Sequence, residues 1–588
     1  MPSTPFLKRK GSVRTIVVAV LLVFVSSFIA VVPFGRTSVA KADTLLESSD
    51  NAQTSWYPNE PGLSPSAISS SDFGELFDTQ FTGYGNIYAQ PLVSQSVVLV
   101  ATEHDTVYGV NAATGAVDWQ TQFGTPVDSA SQGACQFGSE MGITGTPVID
   151  PSTDVAYFVT ASGTGPGGNI QYFMNAVNVA TGVAPVTWPV GGVLIQGHAD
   201  DDAGTVFDGQ SVLQRPGLVL VNGVVYASFG SQCDDPPWTG WLVGVSTSTA
   251  SITSMWASET GIDLPDGGGG GAGIWMSGAA PVVDSQGNIY LATGNGNVPG
   301  PGSGLESPEP NNYGEAVVKL STTGGQLKVV DWFIPSNAHY LNSVDGDLGS
   351  GGPVALPASM GTPEEPNVMV EIGKEGILYG LNMNSLGGFE HGPSESDAVP
   401  SESGTYGGVW SKPTVWPGDG GYIYFPTASA SPYAQTSGSL VALQREVSAS
   451  GAVYFQPVAA TANSGDAYPF GSGKPIVTSN GTESGSAVLW IIKKDGTSSS
   501  LNAYNAIPQN PGPNGSLQRI WDAPIGTATT FSEPVADGGR IYVGAANGTL
   551  LGFGLKPSSV PALSGNDVVF PSLPVSQSVT ETATFTAT

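Results

Sequence analysis

The sequence predicts an all-β fold, an eight-bladed β-propeller with four-stranded antiparallel blades. The main observation is a repeat, because a proline opens a β-rich unit eight times at intervals of 56 to 72 residues. The composition agrees, since 80 Gly and 45 Pro with 40% hydrophobic residues are typical of many short strands joined by turns. The marker prolines are Pro91, Pro147, Pro216, Pro281, Pro353, Pro413, Pro475 and Pro534.

Each unit contains further short apolar strands and closes on an aromatic strand. Examples of the inner strands are 224–230, 377–383 and 540–546. Four short strands repeated eight times predict a propeller, in which every sheet packs between two neighbours. A β-helix is disfavoured because its coils are shorter than this repeat. Stacked sandwiches are disfavoured because they do not repeat proline and tryptophan at fixed positions of each unit. The closing aromatics are Trp119, Trp188, Trp256, Trp332, Phe455 and Trp521.

The closure of the ring is also readable. The last unit has no aromatic outer strand, whereas FGELFDTQF (73–81) precedes the first unit and matches GAVDWQTQF (115–123) in phase. Residues 73–81 are therefore predicted to complete the last blade, which contains residues 531–554. The predicted domains are a signal peptide (1–42), an N-terminal extension (43–72), the propeller (73–555) and a C-terminal segment (556–588).

The connections between strands differ in length on the two faces of the predicted ring. Turns between the first and second strands of a blade, and between the third and fourth, are short. The connections on the other face carry the insertions, which indicates a binding face. The insertions are residues 124–142, 259–274, 295–314, 335–350 and 389–408.

The N-terminus predicts export. A basic start precedes an apolar run from Ile16 to Phe34, and Ala40-Lys41-Ala42 predicts cleavage after Ala42. An uncleaved membrane anchor is the alternative, because the run is nearly long enough to span a bilayer. We expect no other membrane span in the mature chain. Its 12 basic and 48 acidic residues, a formal charge of about −36, disfavour nucleic acid as a partner.

Cys135 and Cys233 are the only cysteines. In an exported protein, two cysteines predict one disulfide, here between the entry of blade two and a loop of blade three on the same face. The four histidines are scattered, so a zinc site with the usual ligand spacing is not expected.

The repeat resembles the pyrroloquinoline-quinone-like propeller superfamily over residues 73–555. The phase NAATGAVDW (111–119) carries this resemblance. The superfamily contains quinoprotein alcohol dehydrogenases as well as a cofactor-free scaffold lipoprotein of outer-membrane barrel assembly. The motif therefore implies the fold and not an activity.

Blade four is similar to the enzymes of that superfamily in more detail. In GGGGGAGIWMSG (267–278) and NIYLATGNGN (288–297), Trp275 matches the floor of the cofactor and Asn295 a calcium ligand. In DWFIPSNAHYLNSVDGDLG (331–349), Asp345 or Asp347 is the counterpart of the catalytic base. If a cofactor is bound, the resemblance implies pyrroloquinoline quinone and calcium.

Two departures weigh against this implication. The adjacent cysteine pair of the enzymes is missing, and blade two, VTASGTGPGGN (159–169), has no acid where they have a glutamate ligand. Structural roles for Trp275 and Asn295 are therefore the alternative. For Asp345 and Asp347, the alternative is a turn or a structural calcium loop.

Basic residues share one phase of the repeat. Arg215, Lys412 and Lys474 each precede a marker proline, and cations converging on the axis indicate binding of an anionic ligand or cofactor. The alternative is that they pair with Glu533 and with loop acids and hold blades together. Lys374 is a fourth candidate on a different strand phase.

After Leu555 the repeats stop, and residues 566–588 resemble the first strands of the choice-of-anchor, immunoglobulin-like modules. Two function classes stay open. The first is an exported, non-catalytic binding or scaffold propeller, whose partner is a protein, a glycan or a small anionic ligand on the loop-rich face. The second is a calcium- and quinone-dependent alcohol or sugar dehydrogenase. A small-molecule site is expected at the axis of the loop-rich face, formed by the residues named above.

Overall fold

The structure is a computed structural model that describes residues 43–82, 85–129, 138–163, 169–232, 234, 237–260, 270–299, 312–429, 435–557, 563–565 and 585–587. The predicted signal peptide and both cysteines lie outside the described residues. At the C-terminus, Leu563–Gly565 pairs with Phe585–Ala587 in an antiparallel ladder. The immunoglobulin-like module stays a prediction.

Within the described residues, eight antiparallel sheets of four main strands form the blades, which confirms the predicted fold class. The innermost strands are Leu92–Ser94, Val148–Asp150, Val219–Val221, Val282–Val283, Val354–Ala355, Thr414–Trp416, Ile476–Thr478 and Val535–Asp537. The second strands are Val97–Ala101, Val155–Ser162, Val224–Ser231, Ile289–Ala292, Val368–Ile372, Tyr422–Pro426, Val488–Lys493 and Arg540–Ala545.

The remaining strands lie farther from the axis. The third strands are Thr106–Asn111, Gln171–Asn178, Trp241–Ser246, Val317–Ser321, Leu378–Asn382, Leu440–Val447, Ser499–Asn505 and Thr549–Leu555. The outer strands are Val117–Gln122, Val193–Leu194, Ser251–Ala257, Lys328–Ile334, Ser401–Ser403, Val453–Ala460, Arg519–Gly526 and Phe73–Gln80.

The structure also contains short strands, helices and turns in addition to the four main strands of each blade. The additional strands are Trp56–Tyr57, Val127–Asp128, Glu140–Met141, Val212–Leu213, Trp238–Thr239, Gly270–Gly271, Gly388–Phe389, Ser437–Gly438 and Tyr468–Pro469. The α-helices are Pro65–Ile68 and Ala338–Ser343. The 3₁₀ turns are Pro61–Leu63, Met276–Gly278, Thr323–Gly325, Leu348–Ser350, Ala358–Met360, Gly418–Gly420, Thr461–Ser464 and Gly496–Ser498. In the part of the chain that the structure describes, no helix has the length and apolar character needed to cross a bilayer.

The ring closes as predicted. Phe73–Gln80 pairs antiparallel with Thr549–Leu555 and forms the outer strand of blade eight. The N-terminal part of the propeller thus supplies the strand that the last repeat lacks, and one sheet contains both ends of the ring.

The repeated TG-x-x-x-W motif is an inter-blade contact. The indole of Trp119 in blade one donates to the Val179 carbonyl of blade two at 2.9 Å. Its ring lies against Gly182, whose φ is +70° and where a Cβ would overlap the indole. Phe77 of blade eight lies in the same way against Gly115 of blade one. At these two positions, the glycine therefore admits the aromatic ring of the preceding blade.

Residues 43–60, the axial segment, were predicted to be part of an extension but contact the innermost strands. The segment accepts backbone hydrogen bonds from six of them: Val93 N to Thr44 O, Ile149 N to Leu45 O, Val283 N to Asn51 O, Ala355 N to Ala52 O, Val415 N to Thr54 O and Val477 N to Ser55 O. Glu47, Ser48, Gln53 and Ser55 are completely buried. The segment satisfies backbone donors that strands crowded around an axis leave without a sheet neighbour.

Candidate functional site

A cavity of about 450 Å³ lies on the loop-rich face, near the axis. The residues that line it come from connections that enter a blade or follow its second strand. The lining residues with polar, charged or aromatic side chains that bear on its chemistry are Tyr88, Arg215, Asp234, Trp238, Trp275, Asn295, Asp345, Asp347, Lys374, Thr530 and Phe531. Four aromatic rings and several charged groups therefore share one concave site, which is typical of a small-molecule pocket.

Trp275 lies at the start of a tight turn that enters blade four. The next three residues, Met276, Ser277 and Gly278, all have positive φ, at 42°, 47° and 85°. The left-handed region is unfavourable for the two non-glycine residues, and such conformations cluster at functional sites. The turn is anchored because the Ser277 hydroxyl donates to the Ser350 carbonyl at 2.7 Å.

Arg215 is the buried cation of the cavity. Its guanidinium lies 5.7 Å from the centroid of the Tyr88 ring and donates to the Thr530 carbonyl at 3.3 Å. Among the described residues, no carboxylate lies within ion-pair distance of it. Burial lowers the pKa of Arg215 to about 10, so the group stays cationic at neutral pH. Burial also raises the pKa of Glu103, the carboxylate that acts on Arg215 from farther away, to about 7.

Gly278 makes room for this guanidinium. A Cβ at position 278 would overlap the Arg215 side chain, and the φ of +85° is itself unfavourable for other residues. The turn that presents Trp275 thus also admits Arg215, and the two side chains reach the same cavity.

A polar cluster forms another part of the cavity wall. The Lys374 ammonium lies 2.6 Å from Asp347 Oδ2 and 2.9 Å from Asp345 Oδ1. Asp347 Oδ1 accepts from the Asn295 backbone N–H at 2.7 Å, and the Asn295 amide donates to Asp345 at 2.8 Å. Asp345 is exposed, whereas Asp347 and Lys374 are buried. The ion pair with the two aspartates raises the pKa of Lys374 although burial opposes this shift.

Glu315 adds a second buried carboxylate behind Asp347. Its Oε2 accepts from the Leu348 backbone N–H at 2.6 Å, and its Oε1 has no hydrogen-bond partner among the described residues. Burial, followed by the charge of Asp347, raises the pKa of Glu315 well above its ordinary value. The Lys374 ammonium therefore compensates the negative charges of Asp345 and Asp347, whereas Glu315 favours its protonated form.

Lys412 and Lys474 do not line this cavity, which corrects the expectation that they share a site with Arg215. Lys412 Nζ donates to the Gln53 carbonyl at 2.8 Å and to Ser55 Oγ at 2.6 Å. Lys474 forms ion pairs with Glu47 and, at 3.5 Å, with Glu533. Both ammonium groups therefore bind the axial segment, which lies against the innermost strands that these residues precede.

The described residues do not supply enough free oxygen ligands for a calcium ion. Asn295 Oδ1 is buried without a hydrogen-bond partner and is thus a suitable single ligand. However, both aspartates already bind Lys374, and the described residues contain no group of three His, Cys, Asp or Glu side chains that could hold a metal ion. Calcium takes six to eight oxygen ligands.

The structure thus brings five predicted residues to one cavity, namely Trp275, Arg215, Asn295, Asp345 and Asp347, together with Lys374. Sequence reasoning missed Glu315, Tyr88, Trp238 and Phe531. Nothing local marks these residues, because they come from different blades and approach one another only when the ring closes.

Comparisons with known proteins give the fold. No family model and no curated protein matches the sequence. The structure is similar to the quinohemoprotein alcohol dehydrogenase from Comamonas testosteroni, with a TM-score of 0.58 and 15% identity over 90% of this chain and 83% of that chain. It is also similar to a quinohemoprotein alcohol dehydrogenase from Pseudomonas putida, with a TM-score of 0.56 and 12% identity over 91% and 84% of the two chains. A europium-containing methanol dehydrogenase matches with a TM-score of 0.55 and 12% identity over 87% of this chain and 98% of that chain. The chain therefore has the eight-bladed propeller fold found in quinoprotein alcohol and methanol dehydrogenases.

Proposed function

We propose that the protein is an exported, non-catalytic binding propeller that holds a small organic anion in the cavity on its loop-rich face. The observation that carries this proposal is Arg215, a buried guanidinium at a cavity with no carboxylate of the described residues in ion-pair distance. Burying a charge without a partner is costly, and an anionic ligand would provide the missing partner. Trp275 would stack on a flat ligand.

The axial segment supports entry from the loop-rich face. Glu47 of this segment forms an ion pair with Lys474, and Ser55 Oγ accepts a hydrogen bond from Lys412. Of these three axial cations, Arg215 is therefore the one that lines the cavity.

Calorimetric titration with benzoate, a flat monocarboxylate, tests this function. We expect saturable binding to the wild-type protein and at least a tenfold weaker affinity in the variant Arg215→Gln. The matched control is Arg519→Gln, because Arg519 lies half-exposed on an outer strand and pairs with Asp466 and Asp522. Absence of binding to the wild type, or an equal loss in both variants, would refute the proposal.

The second candidate is a quinoprotein dehydrogenase. The observation in its favour is that Trp275, Asn295 and Asp347, which the resemblance relates to the cofactor floor, the calcium ligand and the base, line one cavity. The incomplete calcium ligand set weighs against it. Addition of calcium and pyrroloquinoline quinone, followed by dye reduction with alcohols and aldoses, separates the two candidates. Turnover that disappears in Asp347→Asn would favour the dehydrogenase.

A further inference from the structure

We propose that the side chains of Lys374 and Asp347 condense to an amide, an intramolecular isopeptide bond, and that Glu315 transfers a proton in this reaction. The inference goes beyond the proposed function, because it concerns a covalent modification of the chain itself, in which no ligand takes part. The three residues lie in separate connections of blades four and five and come together beside the cavity.

The two groups that would react are already in contact. Lys374 Nζ lies 2.6 Å from Asp347 Oδ2, and the side-chain exposures are 7% and 10%. Transfer of one proton across this contact converts the ion pair into a neutral amine and a carboxylic acid. Only Oδ2, the oxygen that must leave, then separates the amine nitrogen from Cγ, the carbon that it attacks. The pair is therefore held in the arrangement that condensation needs.

The other carboxylate oxygen of Asp347 has a backbone donor. The Asn295 N–H donates to Oδ1 at 2.7 Å. Gly294 permits this close approach, because a Cβ at position 294 would overlap Oδ1. When the amine adds to Cγ, negative charge develops on Oδ1, and a donor that is already in place stabilises that charge. Oδ1 is thus suited to carry the charge, and Oδ2 to leave.

Glu315 is the buried acid next to this carboxyl group. Its side chain is completely buried, and Oε2 accepts at 2.6 Å from the N–H of Leu348, the residue after Asp347. Oε1 has no hydrogen-bond partner among the described residues. Because burial and then the charge of Asp347 raise the pKa of Glu315 well above its ordinary value, this carboxyl group carries a proton. It is therefore a general acid for the leaving oxygen.

The reaction balances without a co-reactant. The bond between Lys374 Nζ and Asp347 Cγ forms, and the bond between Cγ and Oδ2 breaks. Of the three protons on the ammonium, one stays on the amide nitrogen and two leave with Oδ2 as water. The first of these two passes directly within the ion pair. For the second, Glu315 protonates Oδ2 and takes a proton from the nitrogen, so Glu315 ends in its initial state.

Burial favours the amide over the ion pair. Two desolvated charges are costly, and condensation removes both of them. Trp410 adds apolar surface, since Lys374 Nζ lies 5.9 Å from its ring centroid. Asp345 also contacts this ammonium, at 2.9 Å, but 66% of its side chain is exposed. Its carboxylate stays hydrated, so the reaction should select Asp347.

Mass spectrometry of the denatured and reduced full protein tests the inference. The variant Lys374→Arg has no amine to react and gives the reference mass once the substitution is subtracted. Relative to this reference, the wild type should be lighter by one water molecule, and Glu315→Gln should retain the water. The matched control is Glu259→Gln, which changes another buried glutamate with a raised pKa. It should lose the water as the wild type does, and thermal melting should show every variant folded.

Digestion after glutamate residues locates the bond. Glu364 and Glu371 lie between Asp347 and Lys374 in the sequence, so cleavage there separates these two residues unless they are linked. The wild type should give one joined pair of peptides that contains both. Asp345→Asn should still lose water, whereas loss of ammonia in that variant would identify position 345 as the partner.

Three results would overturn the inference. These are a wild type that keeps its full mass after prolonged incubation at neutral pH, a link through position 345, and a bond that forms in Glu315→Gln as completely as in the wild type. The measurement involves no ligand. Its failure therefore leaves the proposed binding function untouched, and absence of benzoate binding leaves the isopeptide bond untouched.

Discussion

The variant Glu47→Gln should destabilise the propeller strongly, although residue 47 belongs to no blade. Glu47 and Lys474 are buried, with side-chain exposures of 0% and 3%, and form an ion pair on the axis. Glutamine keeps the shape of the side chain but removes the charge. Lys474 then depends on Glu533, whose carboxylate lies 3.5 Å away.

The expected loss follows from this geometry. Removal of one partner from a buried ion pair costs about 3–5 kcal/mol, because the other charge stays desolvated. Glu533 compensates in part but also accepts hydrogen bonds from Ser48 and Ser55. We therefore expect the lower end of the range, about 3 kcal/mol of the free energy of unfolding. Double substitution with Lys474→Met should cost less than the sum of the single variants.

Equilibrium urea unfolding followed by tryptophan fluorescence measures this loss. The control is Asp522→Asn, which removes a surface ion pair with Arg519 at 3.7 Å and side-chain exposures of 43% and 54%. Such exposed pairs contribute about 0–1 kcal/mol. A loss for Glu47→Gln no greater than that of the control would refute the view that the axial segment is a structural part of the ring.

Three further predictions follow from single contacts. Gly278→Ala should reduce anion affinity at least tenfold in calorimetric titration, because the new Cβ would displace the Arg215 guanidinium; unchanged affinity would contradict the geometry of the site. Burial raises the pKa of Glu259 to about 7, above its ordinary value in the unfolded chain, so its stabilising contribution is complete below about pH 4.5 and is lost as the pH rises through 7. Glu259→Gln should therefore flatten the fall in urea-unfolding stability between pH 4.5 and 7, and an unaltered slope would exclude Glu259 as its source. Phe73→Ala should cost about 3–5 kcal/mol in the same assay, because Phe73 is buried and its ring centroid lies 5.0 Å from that of Trp521; a loss below about 1 kcal/mol would indicate that this outer strand contributes little to closure.

The blade count and the ring closure could be predicted from the sequence because both depend on a local, repeated pattern. Each unit repeats its proline and its aromatic residue, since every blade solves the same packing problem against its neighbours. Phe77 shows this at the closure, because it meets Gly115 as Trp119 meets Gly182. A pattern of side-chain size and period was sufficient for this part of the fold.

The candidate site could be predicted only in part. Trp275, Asn295 and Asp347 were found through short motifs, and the structure places them at one cavity. Glu315 and Phe531 have no such motif, and their positions depend on contacts between residues far apart in the chain. A site whose residues come from several blades has no recognisable sequence motif within any one blade.

The axial cations show which property of the site the sequence alone could not determine. Arg215, Lys412 and Lys474 share one repeat phase, and the sequence alone determined that all three lie near the axis. Which of them reaches a ligand cavity was decided by tertiary structure. The axial segment binds Lys412 and Lys474, whereas the open turn at Gly278 admits Arg215 to the cavity. The physical reason is that a repeat specifies the position of a side chain on its blade, while its charge partners come from distant parts of the folded chain.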